Sequence, residues 1–329
     1  MAQLVVCGAI NWDTTCFVEN LPRPGEEVMA SRVTRVAGGT GGNVAVAAAR
    51  VLGPAQVALI ASLGQDDIAS LQVQVLESEG VATEGIDRVP EEESGQAYIF
   101  VDTQGQNVIA SHLGANRKLS TAHLHKQSVK DLFDGCRGMA ITDPPLDVAA
   151  ELVHMAARRK VPVFWDPGIL TAYGWQALGP LAVQIDTLLA NEAEAAALFG
   201  PQDPTELTRP PRDLPSTLVL KLGSRGARTL LIRERKLIDA PPFPLAELGI
   251  SIASTVGCGD VFAGVFAAYR TLQRPLSEAL TMADAAAALN AAVQQTRGSP
   301  TRAVLEETVD RTRRLDFRVT EHRLPDDSW

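Results

Sequence analysis

The chain has 329 residues, 46% hydrophobic and 21% charged, which is enough for one large α/β domain or two ordinary ones with a substantial buried core. A formal net charge of −9 argues against a broad electrostatic grip on nucleic acid or on an anionic membrane surface. No run of eighteen apolar residues and no basic-flanked leader is present, so no membrane partner and a cytoplasmic location are expected. Cys7, Cys16, Cys136 and Cys258 are scattered without a C-x-x-C pair, a spacing that fits a reducing compartment and neither a zinc knuckle nor a disulfide framework.

Short apolar runs alternate with helical patterns along most of the chain. "LVVCGAI" (4–10), "VALIASL" (57–63), "GMAIT" (138–142), "VPVFW" (161–165), "DTLLA" (186–190) and "TLVLKLG" (217–223) read as strands buried on both faces. Residues 42–52, 147–159 and 192–200 read as helices, and a helix-rich part follows from Asp260 to about Arg314. The alternation predicts an α/β fold, a doubly wound and mainly parallel sheet with helices on both faces.

Two segments break the rhythm. Residues 14–39 and 95–116 are β-like, with turn signals at "PRPGE" and "DTQGQ", and the second reads as a hairpin. Pattern alone leaves open whether they form a flap over a site or a surface hairpin. Residues 200–215 read as a Pro-rich surface connection, and the final "RLPDDSW" as loosely ordered.

Several fragments could carry chemistry. In "STVGCGD", Gly257, Cys258 and Gly259 precede Asp260 at the start of a predicted helix. The first N–H groups of a helix lack intrahelical partners and favour an anion, so the segment is either an anion cradle with a base beside it or an acidic helix cap. In "AGGTGGN", Gly38 and Gly39 precede Asn43, which suits either contact with a polyhydroxylated ligand or tight strand-to-helix packing. Asp13 follows the first predicted strand, where α/β sheets bind ligands. Asn191 and Glu194 have the N-x-x-E spacing of a capping box, and could also face phosphate and magnesium. Lys221, Gly223 and Gly226 form a strand–turn–strand unit that is either a plain hairpin or a nucleotide-flanking turn. Neither G-x-G-x-x-G before a helix, nor the P-loop pattern, nor H-E-x-x-H, nor G-x-S-x-G occurs.

Taken in order, "GAINWD", "PRPGEEV", "GGTGGN", "ESGQAYIFVDTQGQNVIASHLGAN", "NEAE", "KLGSRGA" and "STVGCGD" resemble the ribokinase-like (PfkB-type) carbohydrate kinases, from about Leu4 to Ala303. The resemblance implies a kinase core formed by residues 1–13, 40–94 and 117–315, a β-strand lid at 14–39 and 95–116, and a tail at 316–329. It implies phosphoryl transfer from ATP, with Mg²⁺, to a hydroxymethyl group of a sugar such as ribose or of a nucleoside, in a homodimer joined through the lid. Asp260 would be the base and Gly257, Cys258 and Gly259 the anion hole. Asp13, Gly38, Gly39, Asn43, Asp143 and Asp166 would face the acceptor. Asn191, Lys221, Gly223 and Gly226 would face the nucleotide, and Glu194 would hold magnesium through water.

Some positions depart from the family pattern. Ser254 stands where the D-T-x-G-x-G-D signature has its first Asp, which puts a monovalent-cation site in doubt. Thr40 replaces the common Lys of "GGKGAN", and Asp143 stands where ribokinases often have Glu. "WDPGIL", with Asp166, resembles other branches, including nucleoside kinases. A catalytically silent binder of sugar or nucleotide is the reading from a different class.

Overall fold

A computed structural model of the chain describes residues 1–200, 214–293, 297–312, 315 and 317–323. The predicted connection at 200–215 and the end at 323–329 fall mostly outside them.

The first predicted strand is short, β1 (Leu4–Cys7), and the chain then crosses into a second sheet as β2 (Asn11–Val18) and β3 (Ala30–Gly38). Helix α1 (Thr40–Leu52) returns it to the main sheet at β4 (Val57–Leu63), followed by α2 (Asp67–Ser78) and β5 (Val81–Arg88). The predicted hairpin forms as β6 (Gly95–Val101) and β7 (Asn107–His112). Its turn is fixed by the Asp102 carboxylate, which accepts from the Gln104 and Gln106 N–H groups at 2.8 and 2.9 Å. Two short helices, α3 (Thr121–Leu124) and α4 (Gln127–Asp131), lead to β8 (Gly138–Ile141), α5 (Leu146–Arg159), β9 (Val163–Trp165), α6 (Gly174–Ala182), β10 (Thr187–Asn191) and α7 (Glu192–Phe199). Then come β11 (Thr217–Lys221), β12 (Ala227–Leu231), β13 (Lys236–Ala240), α8 (Cys258–Thr271), α9 (Leu276–Ala291), α10 (Arg302–Arg311) and β14 (Thr320–Arg323).

The main sheet has ten strands in the order β14-β13-β12-β11-β10-β9-β8-β1-β4-β5. It is parallel from β5 to β11, and the last three strands pair antiparallel. Alternate side chains enter two cores. Leu4 and Val6 join the layer of α1, α2, α8, α9 and α10, while Val5 and Cys7 join the layer of α5, α6 and α7. The continuous apolar run of a doubly covered strand is the result. Part of the expected tail, β14, pairs with β13 and so extends this sheet. Among the described residues no helix is long and apolar enough to cross a membrane.

The second sheet has four strands, β3-β2-β6-β7, and the parallel pairing of β2 with β6 unites the two segments that broke the α/β rhythm. Asp13 therefore lies within β2, opposite Val36 and Ala97, and is part of the smaller sheet instead of a loop after the first core strand.

Close packing of α1 on α8 sets the site. A Cβ on Gly264 would come within 2.5 Å of the Val44 carbonyl and 2.9 Å of the Ala47 methyl. Glycine there lets the two backbones approach and brings Asn43 alongside Asp260.

Candidate active site

Helix α8 opens on Gly257, whose φ of 77° is in the left-handed region that disfavours side chains. The Cys258 N–H makes a long contact of 3.4 Å to the Thr255 carbonyl. The N–H groups of Gly259 and Asp260 donate to no described residue, so the positive end of a fourteen-residue helix is presented bare. Lys221, at the end of β11, places its ammonium 3.7 Å from where a Gly259 Cβ would sit. Backbone donors and a fixed cation thus converge on one spot.

Asp260 occupies the first turn of α8 and accepts from Asn43 Nδ2 at 2.7 Å through Oδ2. Burial pushes its pKa up to about 7; the Asn43 hydrogen bond and Lys221 oppose this, while Asp166 and Asp143 add to it. A carboxyl titrating near neutrality suits a general base.

The predicted acceptor residues divide into two groups. Asp13, Gly38, Gly39 and Asn43 gather at the junction of the two sheets. A Cβ on Gly38 would lie 2.0 Å from Asp13 Oδ2, and Gly39 has φ of 86° with the Asn11 nitrogen 2.5 Å from its would-be Cβ. Burial raises the Asp13 pKa to about 6, with the Arg297 guanidinium acting against it. Asp143 lies beside them as an anchor: its Oδ1 accepts from the Ala9 N–H at 3.1 Å, the Thr40 hydroxyl at 2.6 Å and the Thr142 hydroxyl at 3.0 Å. Thr40, the departure from the family's Lys, is what ties α1 to that carboxylate.

Asp166, expected from the resemblance to face the acceptor, makes an ion pair with Lys221. Burial disfavours the Lys221 charge, but Asp166, Glu194 and Asp260 hold its pKa above the ordinary value. Asn191 and Glu194 form a complete capping box: Asn191 Oδ1 accepts from the Glu194 N–H at 2.9 Å, and Glu194 Oε2 from the Asn191 N–H at 2.7 Å. Burial and Asp166 raise the Glu194 pKa, and Lys221 works in the opposite direction. Gly223 (φ 58°) and Gly226 (φ 83°) shape the β11–β12 turn; a Cβ on Gly226 would lie 2.2 Å from the Ala240 carbonyl.

Residues 1–302 match the family described as pfkB family carbohydrate kinase. The chain belongs to that family. It is similar to the ATP-dependent ribose-1-phosphate kinase of Halopiger xanaduensis, with 28% identity over 303 residues, 92% of this chain and 96% of that protein. It is similar also to the ribokinase of Haemophilus influenzae, with 28% identity over 314 residues, 93% of this chain and 97% of that protein. The solved ribokinase of Arabidopsis thaliana, complexed with ribose and ATP, has a TM-score of 0.81 and 26% identity, covering 94% of this chain and 99% of that one. As a pfkB family kinase the protein is a phosphotransferase.

Three residues of this pfkB kinase escaped the sequence reading. Asn116, buried after the hairpin, donates to the Ile10 carbonyl and accepts from the Ile10 N–H, both at 2.9 Å, pinning the crossover from β1 to β2. Asn290 on α9 donates to the Val256 carbonyl at 3.1 Å and accepts from the Gly298 N–H at 2.8 Å, bracing the loop before α8. Arg297 donates through Nε to Asn43 Oδ1 and through Nη2 to the Gly38 carbonyl, both at 2.9 Å. Asn116 ends the quoted stretch "ESGQAYIFVDTQGQNVIASHLGAN", where nothing local singles it out, and Asn290 and Arg297 lie in no quoted motif. The signal for Asn116 and Asn290 is their burial, and for the half-buried Arg297 its long-range partners, neither of which the sequence displays.

Proposed function

We propose that the chain transfers the terminal phosphoryl group of ATP to a hydroxymethyl group of ribose or a related pentose or ketose. The observation that carries this reading is the meeting of Asp260, the unpartnered N–H groups of Gly259 and Asp260, and the Lys221 ammonium at one helix mouth. Phosphoryl transfer is catalysed mainly by positioning and by stabilising charge on the equatorial oxygens, and this arrangement supplies both. Asp260 takes the proton of the acceptor hydroxyl. Gly257, Cys258 and Gly259 form the hole for the migrating group. Asp13, Gly38, Gly39 and Asn43 hold the acceptor, with Asp143 tying the neighbouring Ala9 N–H and Thr40 hydroxyl together.

Asn191, Lys221, Gly223 and Gly226 serve the nucleotide, and Asp166 orients Lys221. Among the described residues no cluster of three or more His, Cys, Asp or Glu could hold a metal by itself. Magnesium commonly needs one or two carboxylates plus waters and phosphate oxygens, and Glu194, with Oε1 outside the capping box, fits that demand through water. The ion, when bound, neutralises phosphate charge. Ser254 accepts from the Val256 N–H at 3.3 Å and supplies no carboxylate, so we propose transfer without a monovalent cation; a strong preference for potassium over sodium would refute this.

The deciding experiment measures ATP consumption with ribose, ribose 1-phosphate, fructose, adenosine, inosine and cytidine. Turnover of ribose or fructose is expected. Turnover of nucleosides without any sugar would replace the pentose reading by a nucleoside kinase. Ligand-raised melting temperature without product from any acceptor would favour a silent binder.

A further inference from the structure

The Asn43 amide has one face that donates and one that accepts, and its two orientations differ only in which face meets Asp260. With the carbonyl oxygen turned toward Asp260, two acceptors would oppose each other. Arg297 settles the choice. Its Nε donor at 2.9 Å requires Oδ1 on its side, and Nδ2 is thereby directed to Asp260 Oδ2 at 2.7 Å. Arg297 is itself held on both sides: Nη2 donates to the Gly38 carbonyl, and its own carbonyl accepts from Arg50 Nη1 at 2.9 Å. Its Nη1 is buried without a hydrogen-bond partner among the described residues, a destabilising arrangement that packing alone does not call for.

On the reading that Asp260 is the base, we propose that Arg297 is a positioning residue that locks the Asn43 amide, so that Asp260 Oδ2 is occupied and Oδ1 is the oxygen that accepts the acceptor's proton. Asp260 Oδ1 accepts from no described residue. The other charged or titratable groups around this carboxyl are Lys221 at the end of β11, Asp166 after β9, Asp143 after β8 and Cys258 on its own helix.

Titration of the ¹³C-labelled Asp260 carboxyl carbon by NMR, assigned with Asp260→Asn, tests the relay without any acceptor. Arg297→Met is expected to move the midpoint upward by about one pH unit, and Arg297→Lys to restore most of it. In an Asn43→Ala background the same Arg297→Met change should move it little. Equal shifts in both backgrounds mean long-range charge alone and overturn the relay, as does an unmoved midpoint in Arg297→Met. Should Arg297→Met fail to fold, the wild-type Asn43 side-chain amide protons decide. They should shift with the same midpoint as the Asp260 carboxyl, and protons that stay still overturn the proposal. Loss of the kinase reading would show separately, as full turnover in Asp260→Asn.

Discussion

Asn43 of α1 and Asp260 of α8 are separated by 217 residues and joined by a hydrogen bond of 2.7 Å. The contact couples the glycine-rich entry to the first helix with the mouth of a helix near the other end of the chain. It places the acceptor-side residues and the proposed base in one network.

Asp260→Asn should lower turnover by about three orders of magnitude with nucleotide affinity nearly unchanged, since general bases commonly contribute factors of 10²–10⁴. In the wild type the carboxyl must be ionised to act. With its pKa at about 7, kcat/KM should rise with pH and level off above neutrality. Initial rates from pH 5 to 9 test this; a flat profile would remove Asp260 from the proton-transfer step.

Gly38→Ala tests the acceptor pocket. The backbone at Gly38 is not left-handed, but the added methyl would sit 2.0 Å from Asp13 Oδ2 and must displace that carboxylate. The acceptor KM should rise about tenfold or more while the ATP KM stays close to wild type. Equal changes in both would assign Gly38 to general packing.

Glu194→Gln separates two roles of one side chain. Glutamine still closes the capping box around the Asn191 N–H but carries no charge. Half-saturating magnesium should rise about tenfold with the melting temperature hardly altered. An unchanged magnesium curve would reduce Glu194 to a helix cap.

Asp284 on α9 is buried and accepts from the Phe243 N–H at 2.7 Å. Burial pushes its pKa up to about 7, the hydrogen bond acting against the shift. Folding therefore takes up a proton between the unfolded pKa of about 4 and pH 7, and stability falls as pH rises through that window. Asp284→Asn keeps an acceptor and cannot ionise, so its melting temperature should decline less between pH 4 and pH 8. Parallel declines would show that Asp284 does not contribute.

We propose that the second sheet is a surface for self-association. Val33, Cys16, Phe100 and Val108 lie side by side across β3, β2, β6 and β7, on the face opposite Asp13. Val33 and Val108 are 43% and 55% exposed, an apolar row that a second copy could cover. Sedimentation should give a dimer for the wild type and a monomer for Val108→Asp. A wild-type monomer would overturn the proposed interface.

How far the sequence could be read follows from where each residue's partners lie. "VALIASL" coincides with β4 because a strand covered on both faces is apolar throughout. β5, "VATEGIDR", is an edge strand with several partly exposed or exposed polar positions, and its pattern did not distinguish it. Asn191 and Glu194 were legible because a capping box is local. The Lys221–Asp166 pair spans 55 residues and the Arg297–Asn43 contact 254, so no local spacing encodes them. Asp13 lies within β2 and not in a loop after the first strand because β1 ends at Cys7, not Ile10, before the chain changes sheet.

That change of sheet has a mechanical consequence. Asp13 and Gly38 belong to the smaller layer, whereas Asp260 is anchored in the larger one, so in the proposed function an alcohol gripped by all three would stitch the layers together. Swinging the small layer outward would carry Asp13 away from the proposed base. On that reading, loading the cargo and shutting the door would become a single act, and water, too small to span both leaves, would be a poor substitute for the proper guest.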